Sequence, residues 1–373
     1  MMNEEPFDSL RSLPSLRRSG LGRASEECGM MNEERISGVP SASVIPHFAF
    51  RIHHWGATAF FAFLAIALPG RVLAGRSAGS TALIIGRLPV GVRPIAMSGA
   101  YAAVAGEPSA VYWNPAGLAR VDRTRVAVQH TEQGEQIRME NVLYAQPVPG
   151  GGTVAGAASY LNMPPIRQTL EDDAGNYAGE GGELSSYEFK AAAGFGQDLQ
   201  RLGAVPALGP LWNRGLAGAS VNILGESIAG ESSYSISADV GYVFEAPVEG
   251  LSMGLVARQV GVPVRNRLLP MTGQAGFAQE LGPWLMTADF LTAADDALRG
   301  RAGLEWRYDG VGYRFIMRGG VQHSFSSEIL APYSGGLSVE FTPIGAVQLL
   351  VEYAFVPVSG LQAMHAASVE MAL

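Results

Sequence analysis

The 373-residue chain holds a single cysteine, Cys28, and a single lysine, Lys190. One thiol excludes an internal disulfide, a cysteine-built zinc site and a redox pair. Charge is scarce as well: Asp, Glu, Lys and Arg make up 16% of residues, against the usual quarter. The balance is -8. Without a basic footprint to displace counterions, nucleic acid is excluded as a partner. Long hydrophobic runs are almost missing. Only one stretch, near the N-terminus, approaches the length of a bilayer-spanning helix, which argues against a helical membrane protein. What is abundant is glycine, 47 residues of it, with no three-residue period, so collagen is excluded. The chain is 47% apolar with mean hydropathy +0.14, so it is not disordered throughout.

The one apolar run has a recognisable setting. Arg51, His53 and His54 precede the stretch 57–68, then come Pro69-Gly70 and Val72-Leu73-Ala74 before Gly75. A basic flank, a short apolar core and small residues at -3 and -1 read as a secretory signal peptide cleaved after Ala74. Position 75 is glycine, so nothing supports a lipid anchor. Residues 1–50 are then a leader or the product of a start codon assigned too early. The repeat of MMNEE at positions 1 and 30 suits the latter. The expected organisation is 1–50 leader, 51–74 signal peptide, 75–122 an N-terminal segment, and 123–373 one β domain.

From Thr124 onward the apolar pattern has period two. Tyr234, Ile236, Ala238, Val240, Tyr242 and Phe244 share one face, while Ser235, Ser237, Asp239 and Gly241 share the other. Trp284, Met286, Ala288 and Phe290 oppose Thr287 and Asp289, and Val347 to Phe355 alternate in the same way. Such strands are two-faced and suit an antiparallel sheet. About fourteen can be marked. Short turns (246–250, 280–283, 309–312 and 343–345) alternate with longer connections (162–185, 260–270, 292–297 and 324–332). That is the plan of an all-β transmembrane antiparallel barrel with short periplasmic turns and longer external loops. Closure is the physical reason: lipid offers no hydrogen bonds, so every strand edge must be paired. Tyr160, Trp284, Trp306, Tyr308, Tyr353 and Phe355 fall where interfacial aromatic girdles would lie. The connection 196–214 is long on the wrong side and reads as an insertion.

Before the strands, residues 94–105 are rich in small side chains and read as a closely packed helix. Asn114-Pro115 reads as an N-cap followed by proline at the first helical position, where its missing N–H costs nothing. The segment 89–119, PVGVRPIAMSGAYAAVAGEPSAVYWNPAGLA, resembles the opening of the PorV/PorQ family of outer-membrane barrels, within the FadL-like transporter superfamily. The matching residues are Gly99, Ala100 and Tyr101, then Trp113, Asn114, Pro115, Ala116, Gly117 and Leu118. Residues 352–361 before a final strand resemble that family's closing hairpin. The resemblance implies fourteen strands with the N-terminal segment folded inward as a small helical plug. Leu373 departs from the pattern, since an aromatic residue is usual at that end.

Chemistry is thinly represented. Gly250-Leu-Ser-Met-Gly254 matches a nucleophile pattern, but that motif needs a strand-to-helix elbow and here the serine opens an alternating strand. His130, His323 and His365 have no metal-ligand spacing. The acidic run at 171–176, with Glu180 and Glu183, reads as a solvated external loop before it reads as a cation site. No enzyme activity, metal or cofactor is expected. Asp239, Arg258, Asp289, Glu305, Arg307, Glu340 and Glu352 lie on polar strand faces and are candidate lumen-lining residues. The resemblance implies an outer-membrane protein in contact with lipid that passes hydrophobic or amphipathic small molecules past the plug. Its alternative is a type IX-like secretion component that binds secretion-system proteins or exported substrates.

Overall fold

The computed structural model describes residues 80–373 apart from 105, 135, 203–214, 326–330 and 345–346. The expected signal peptide and leader lie outside the described residues. So does most of the insertion expected at 196–214, whose start forms the 3₁₀ turn Leu199–Leu202. Among the described residues no helix is long and apolar enough to cross a membrane.

Fourteen strands form one closed antiparallel barrel. The first half comprises β1 (Arg125–Gln133), β2 (Ile137–Val148), β3 (Gly152–Glu171), β4 (Tyr177–Asp198), β5 (Gly215–Ile228), β6 (Glu231–Glu245) and β7 (Leu251–Gly261). The second comprises β8 (Thr272–Leu281), β9 (Trp284–Ala293), β10 (Asp296–Asp309), β11 (Tyr313–Ser324), β12 (Tyr333–Ile344), β13 (Val347–Val356) and β14 (Met364–Ala372). Each strand pairs with its sequence neighbours, and β1 closes on β14 from Arg125↔Ala372 to Gln133↔Met364. No edge is left unpaired, so every strand backbone can be satisfied within the sheet.

Period two sorts the side chains as the sheet requires. Val221, Ile223, Ile236, Val240, Phe290, Leu304, Val321 and Leu337 are exposed on the outer face. Their neighbours Ser220, Asn222, Ser237, Asp239, Asp289 and Glu305 are buried on the inner one. Aromatic rings gather outside at the short-turn end: Trp284 and Trp306 lie 6.3 Å apart, Trp306 and Tyr308 6.1 Å, and Tyr308 and Tyr313 6.5 Å. Tyr160 stacks with Tyr187 at 5.8 Å toward the opposite end. His130 and His365 also face outward, bonded to Glu140 and Tyr353.

Two expectations about loops fail. Residues 162–185 are not a loop: β3 and β4 continue through them, leaving only the turn 172–176. Beyond Asn162 and Ser186 these strands pair with each other as a two-stranded ribbon extending past the ring, Ser185 O still accepting from Ala229 N at its base. The ladder satisfies this ribbon's backbone without a buried face, so its glycine- and glutamate-rich sequence gave no period-two signal. Residues 292–297 likewise shrink to a two-residue connection between β9 and β10.

Candidate functional site: the filled lumen

Residues 80–121 lie inside the barrel. They form a 3₁₀ turn at Ile84–Gly86, helix α1 (Val92–Ala96), helix α2 (Ala110–Trp113) and a second 3₁₀ turn at Pro115–Arg120. The helix expected over 94–105 stops at Ala96. Ser98 and Gly99 take positive φ, 51° and 75°, and left-handed residues cannot continue an α-helix. The turn at Pro115 does start at the proline, with Asn114 as its cap: Asn114 Oδ1 accepts from Ala116 N at 3.2 Å.

Four groups stand out among the polar contacts that hold this segment to the wall. Arg93 of α1 meets Glu305 of β10 in a bidentate pair through Nε and Nη2, at 2.7 and 3.0 Å. Glu305 also accepts from Arg318 at 2.6 Å and Arg307 at 2.8 Å. Arg318 continues to Glu352 at 2.8 Å, and Glu352 accepts from Ser368 at 3.0 Å. A second group centres on Asp289, whose Oδ2 accepts from Ala102 N at 2.8 Å and Gln274 Nε2 at 2.5 Å. Gln274 also donates to Gly99 O at 2.9 Å. Third, Arg258 donates to Tyr112 O at 3.2 Å and lies over the Trp113 ring, 5.1 Å from its centroid. Fourth, Arg120 donates to Glu245 at 2.6 Å and Ser252 at 3.1 Å.

The motif residues are all internal. Tyr101 donates to Glu107, which also accepts from Ser109 at 2.7 Å, and the Tyr101 ring meets Trp113 edge-on at 5.9 Å. Trp113 Nε1 donates to Val90 O at 2.6 Å. Asn114, Ala116 and Leu118 are fully buried. Of the candidate lining residues, all seven sit at inward positions. Asp239, Asp289, Glu305 and Glu352 are buried, while Glu340 lies near the short-turn rim, 3.6 Å from Arg314. Ser252 of the apparent nucleophile pattern sits on a strand and accepts from Arg120, so no elbow exists. Among the described residues no three His, Cys, Asp or Glu side chains converge as metal ligands. Asp172 closes the ribbon's tip: the N–H groups of Asn176 and Ala174 hold its carboxyl below the usual carboxylate range.

Sequence reading missed the wall's own contribution. Inward glycines recur where the segment touches the barrel. A β-carbon at Gly218 would overlap Pro115, one at Gly241 would overlap Asn114, one at Gly254 would overlap Ala102, and one at Gly320 would overlap Met97. At Gly196 it would stand 2.7 Å from Pro115 O, and at Gly336 2.6 Å from Ala96 Cβ. Each glycine is in phase with the inward face of its strand, which is the signal that could have found them.

Above this layer the lumen mixes buried polar residues, among them Asn141, Glu188 and Lys190, with an apolar cluster. Met139, Leu143, Leu161 and Leu224 of the wall share one buried cluster with Leu83, Ile85 and Val90 of the segment.

No family model matches the chain, and no curated protein does. Solved structures do. The P. putida toluene transporter TodX aligns at 9% identity and TM-score 0.51, covering 76% of this chain and 97% of its own. The Ralstonia pickettii toluene transporter TbuX aligns at 11% and 0.51, with the same coverages. At this identity the likeness is one of fold. The chain shares the closed-barrel fold of these transporters.

Proposed function

We propose that this chain is a bacterial outer-membrane channel for small hydrophobic or amphipathic molecules, with residues 80–121 as its luminal plug. The observation that carries the reading is the apolar cluster buried within the lumen. A general porin has a polar, water-filled interior. Here Met139, Leu143, Leu161 and Leu224 of the wall form a buried apolar cluster within the lumen, beside buried polar residues such as Glu188 and Lys190, and the chain's own Leu83, Ile85 and Val90 fill it. Such a lining suits an apolar solute, and the polar layer around Arg93 and Asp289 stops free passage of water and ions. The apolar outer face, the aromatic rings near the short-turn end and the expected signal peptide support the location. The toluene transporters that share the fold support the solute class.

Two measurements test this. Deleting residues 80–120 should raise ion conductance in planar bilayers, and unchanged conductance sinks the plug. Expression in a porin-poor host should speed toluene uptake across the outer membrane, and no change sinks the solute class. The purified outer-membrane fraction should also show heat-modifiable gel migration.

A second reading rests on the resemblance of Trp113 to Leu118 and its surroundings to the PorV/PorQ family. In that reading the barrel serves a secretion apparatus and receives exported proteins. Recovery of many surface-exported proteins with the affinity-tagged barrel would favour it.

A further inference from the structure

β1 and β14 hold nine residues each, the least that crosses a bilayer, so their outward side chains lie in lipid from one end to the other. On most of the barrel that face is apolar, as at Val221 and Ile223 of β5 and at Ile236 and Val240 of β6. Where β14, β1 and β2 meet, it is not. His130 and Glu132 of β1, Arg138 and Glu140 of β2 and His365 of β14 are all exposed there, in the half where β1 runs into β2. His130 meets Glu140 at 2.6 Å, and His365 meets the Tyr353 hydroxyl at 2.6 Å. Glu132 and Arg138 stand opposite each other in the ladder, yet among the described residues neither makes an ion pair or a side-chain hydrogen bond. Charge facing lipid destabilises a barrel, and ionisable groups inside a membrane are as a rule paired. Ala367, next to His130 in the ladder, keeps the sheet low beside these charges, so another wall can come close.

We propose that this patch is the contact between two copies of the barrel lying side by side in the outer membrane. The inference rests on the outer-membrane location given above and is independent of the solute. A second copy fits where other occupants do not, because the patch carries both signs at one level. A twofold axis along the membrane normal keeps every residue at its own height and makes the contact reciprocal. Glu132 of one copy then faces Arg138 of the other, and Arg138 faces Glu132. Two crossed ion pairs take the place of charges left open to lipid, and the same contact covers His130 and Glu140. The headgroup phosphates of a glycolipid would take Arg138 but repel Glu132 and Glu140, and acyl chains satisfy neither sign.

The test places the full chain, with Cys28→Ser, in vesicles of phosphatidylethanolamine and phosphatidylglycerol, which hold no glycolipid. Ala367→Cys in this background should give a cross-linked dimer with a short bis-maleimide. Ala238→Cys, on the outer face of β6, should not. Adding Glu132→Arg or Arg138→Glu to Ala367→Cys should cut the cross-linked fraction roughly tenfold, since each sets like charges against each other across the axis. Mixing these two variants in equal amounts should restore it, because every crossed pair is then again of opposite sign. Heat-modifiable migration shows whether each variant is folded, and Glu132→Ala or Arg138→Ala serves for the single loss where one is not. Cross-linking at 367 no greater than at 238, or no recovery on mixing, overturns the proposal. So does a parent that stays monomeric yet retains added lipopolysaccharide that Arg138→Glu releases, since the patch is then a lipid site. Protein that does not float with the vesicles overturns the membrane location itself. Protein that floats without cross-links overturns only the contact.

Discussion

The side-chain amide of Asn114 donates to the main-chain carbonyl of Ala102 at 2.6 Å, tying the stretch below α1 to the turn that leads into β1. The same side chain accepts from Ala116 N, so one buried residue both caps a helical turn and joins two passes of the segment. Asn114→Ala removes the cap, worth about 1 kcal/mol. It also leaves the Ala102 carbonyl unpaired in a buried place, worth about 1–3 kcal/mol more. The urea midpoint of the detergent-folded protein should fall accordingly. Asn114→Asp keeps the accepting oxygen but sets a carboxylate against the Ala102 carbonyl in a buried place, so its midpoint should fall at least as far as that of Asn114→Ala.

The inward glycines predict an asymmetry between the two faces of one sheet. Gly241→Leu places a side chain where Asn114 now sits, so the luminal segment must shift while the strand ladder, which needs only backbone, remains. Conductance should rise and heat-modifiable migration should persist. Gly319→Ala is the control. It faces outward on β11, where a β-carbon would meet only Ser334 O at an ordinary 3.9 Å, and it should behave as the parent does. Equal effects at both positions would mean that the glycines serve the strands and not the plug.

Those glycines also mark the limit of what the sequence reveals. Strand number and facing were legible because lipid on one side and a polar interior on the other force alternation, as in Tyr234 to Phe244. Asn114-Pro115 was legible because capping is local. The pairing of Arg93 with Glu305, 212 residues apart, was not, since no local rule links a helix inside a barrel to one rung of its wall. The end of α1 was misread for a related reason. Small residues at 94–105 favour helix only weakly, and Ser98 and Gly99 turn left-handed to pass Gly320 and Ser334 of the wall. The ribbon of β3 and β4 was missed because it buries no face, so nothing in its composition had to alternate.

Arg93 and Glu305 form a buried pair with other partners close by. Breaking such a pair by removing one member usually costs about 3–5 kcal/mol, because the survivor is left charged and unpaired. Here Arg318 and Arg307 still face Glu305 after Arg93→Met, so the loss should be smaller, about 2 kcal/mol in a urea titration. Adding Glu305→Gln should cost less than its own single effect, with a coupling of roughly 0.5–3 kcal/mol. Additive losses would show that α1 is held by its apolar contacts with Ala354 and Ala366 and not by the ion pair.

The ribbon formed by β3 and β4 should be dispensable for closure of the barrel. β2 pairs with β3 only as far as Asn162, and β5 pairs with β4 only from Ser186. Beyond those residues the backbone bonds are internal to the ribbon except that Ser185 O accepts from Ala229 N, and register shifts after Met163 and Arg167 already loosen the ribbon there. Replacing residues 164–185 by Asn-Gly leaves the two strands at the spacing a two-residue hairpin turn accepts. Removing solvent-exposed chain costs little, and a shorter connection costs less closure entropy. The shortened protein should refold in detergent with heat-modifiable migration and a urea midpoint close to the parent's. Failure to fold would show that residues 164–185 meet something that the barrel needs in order to close.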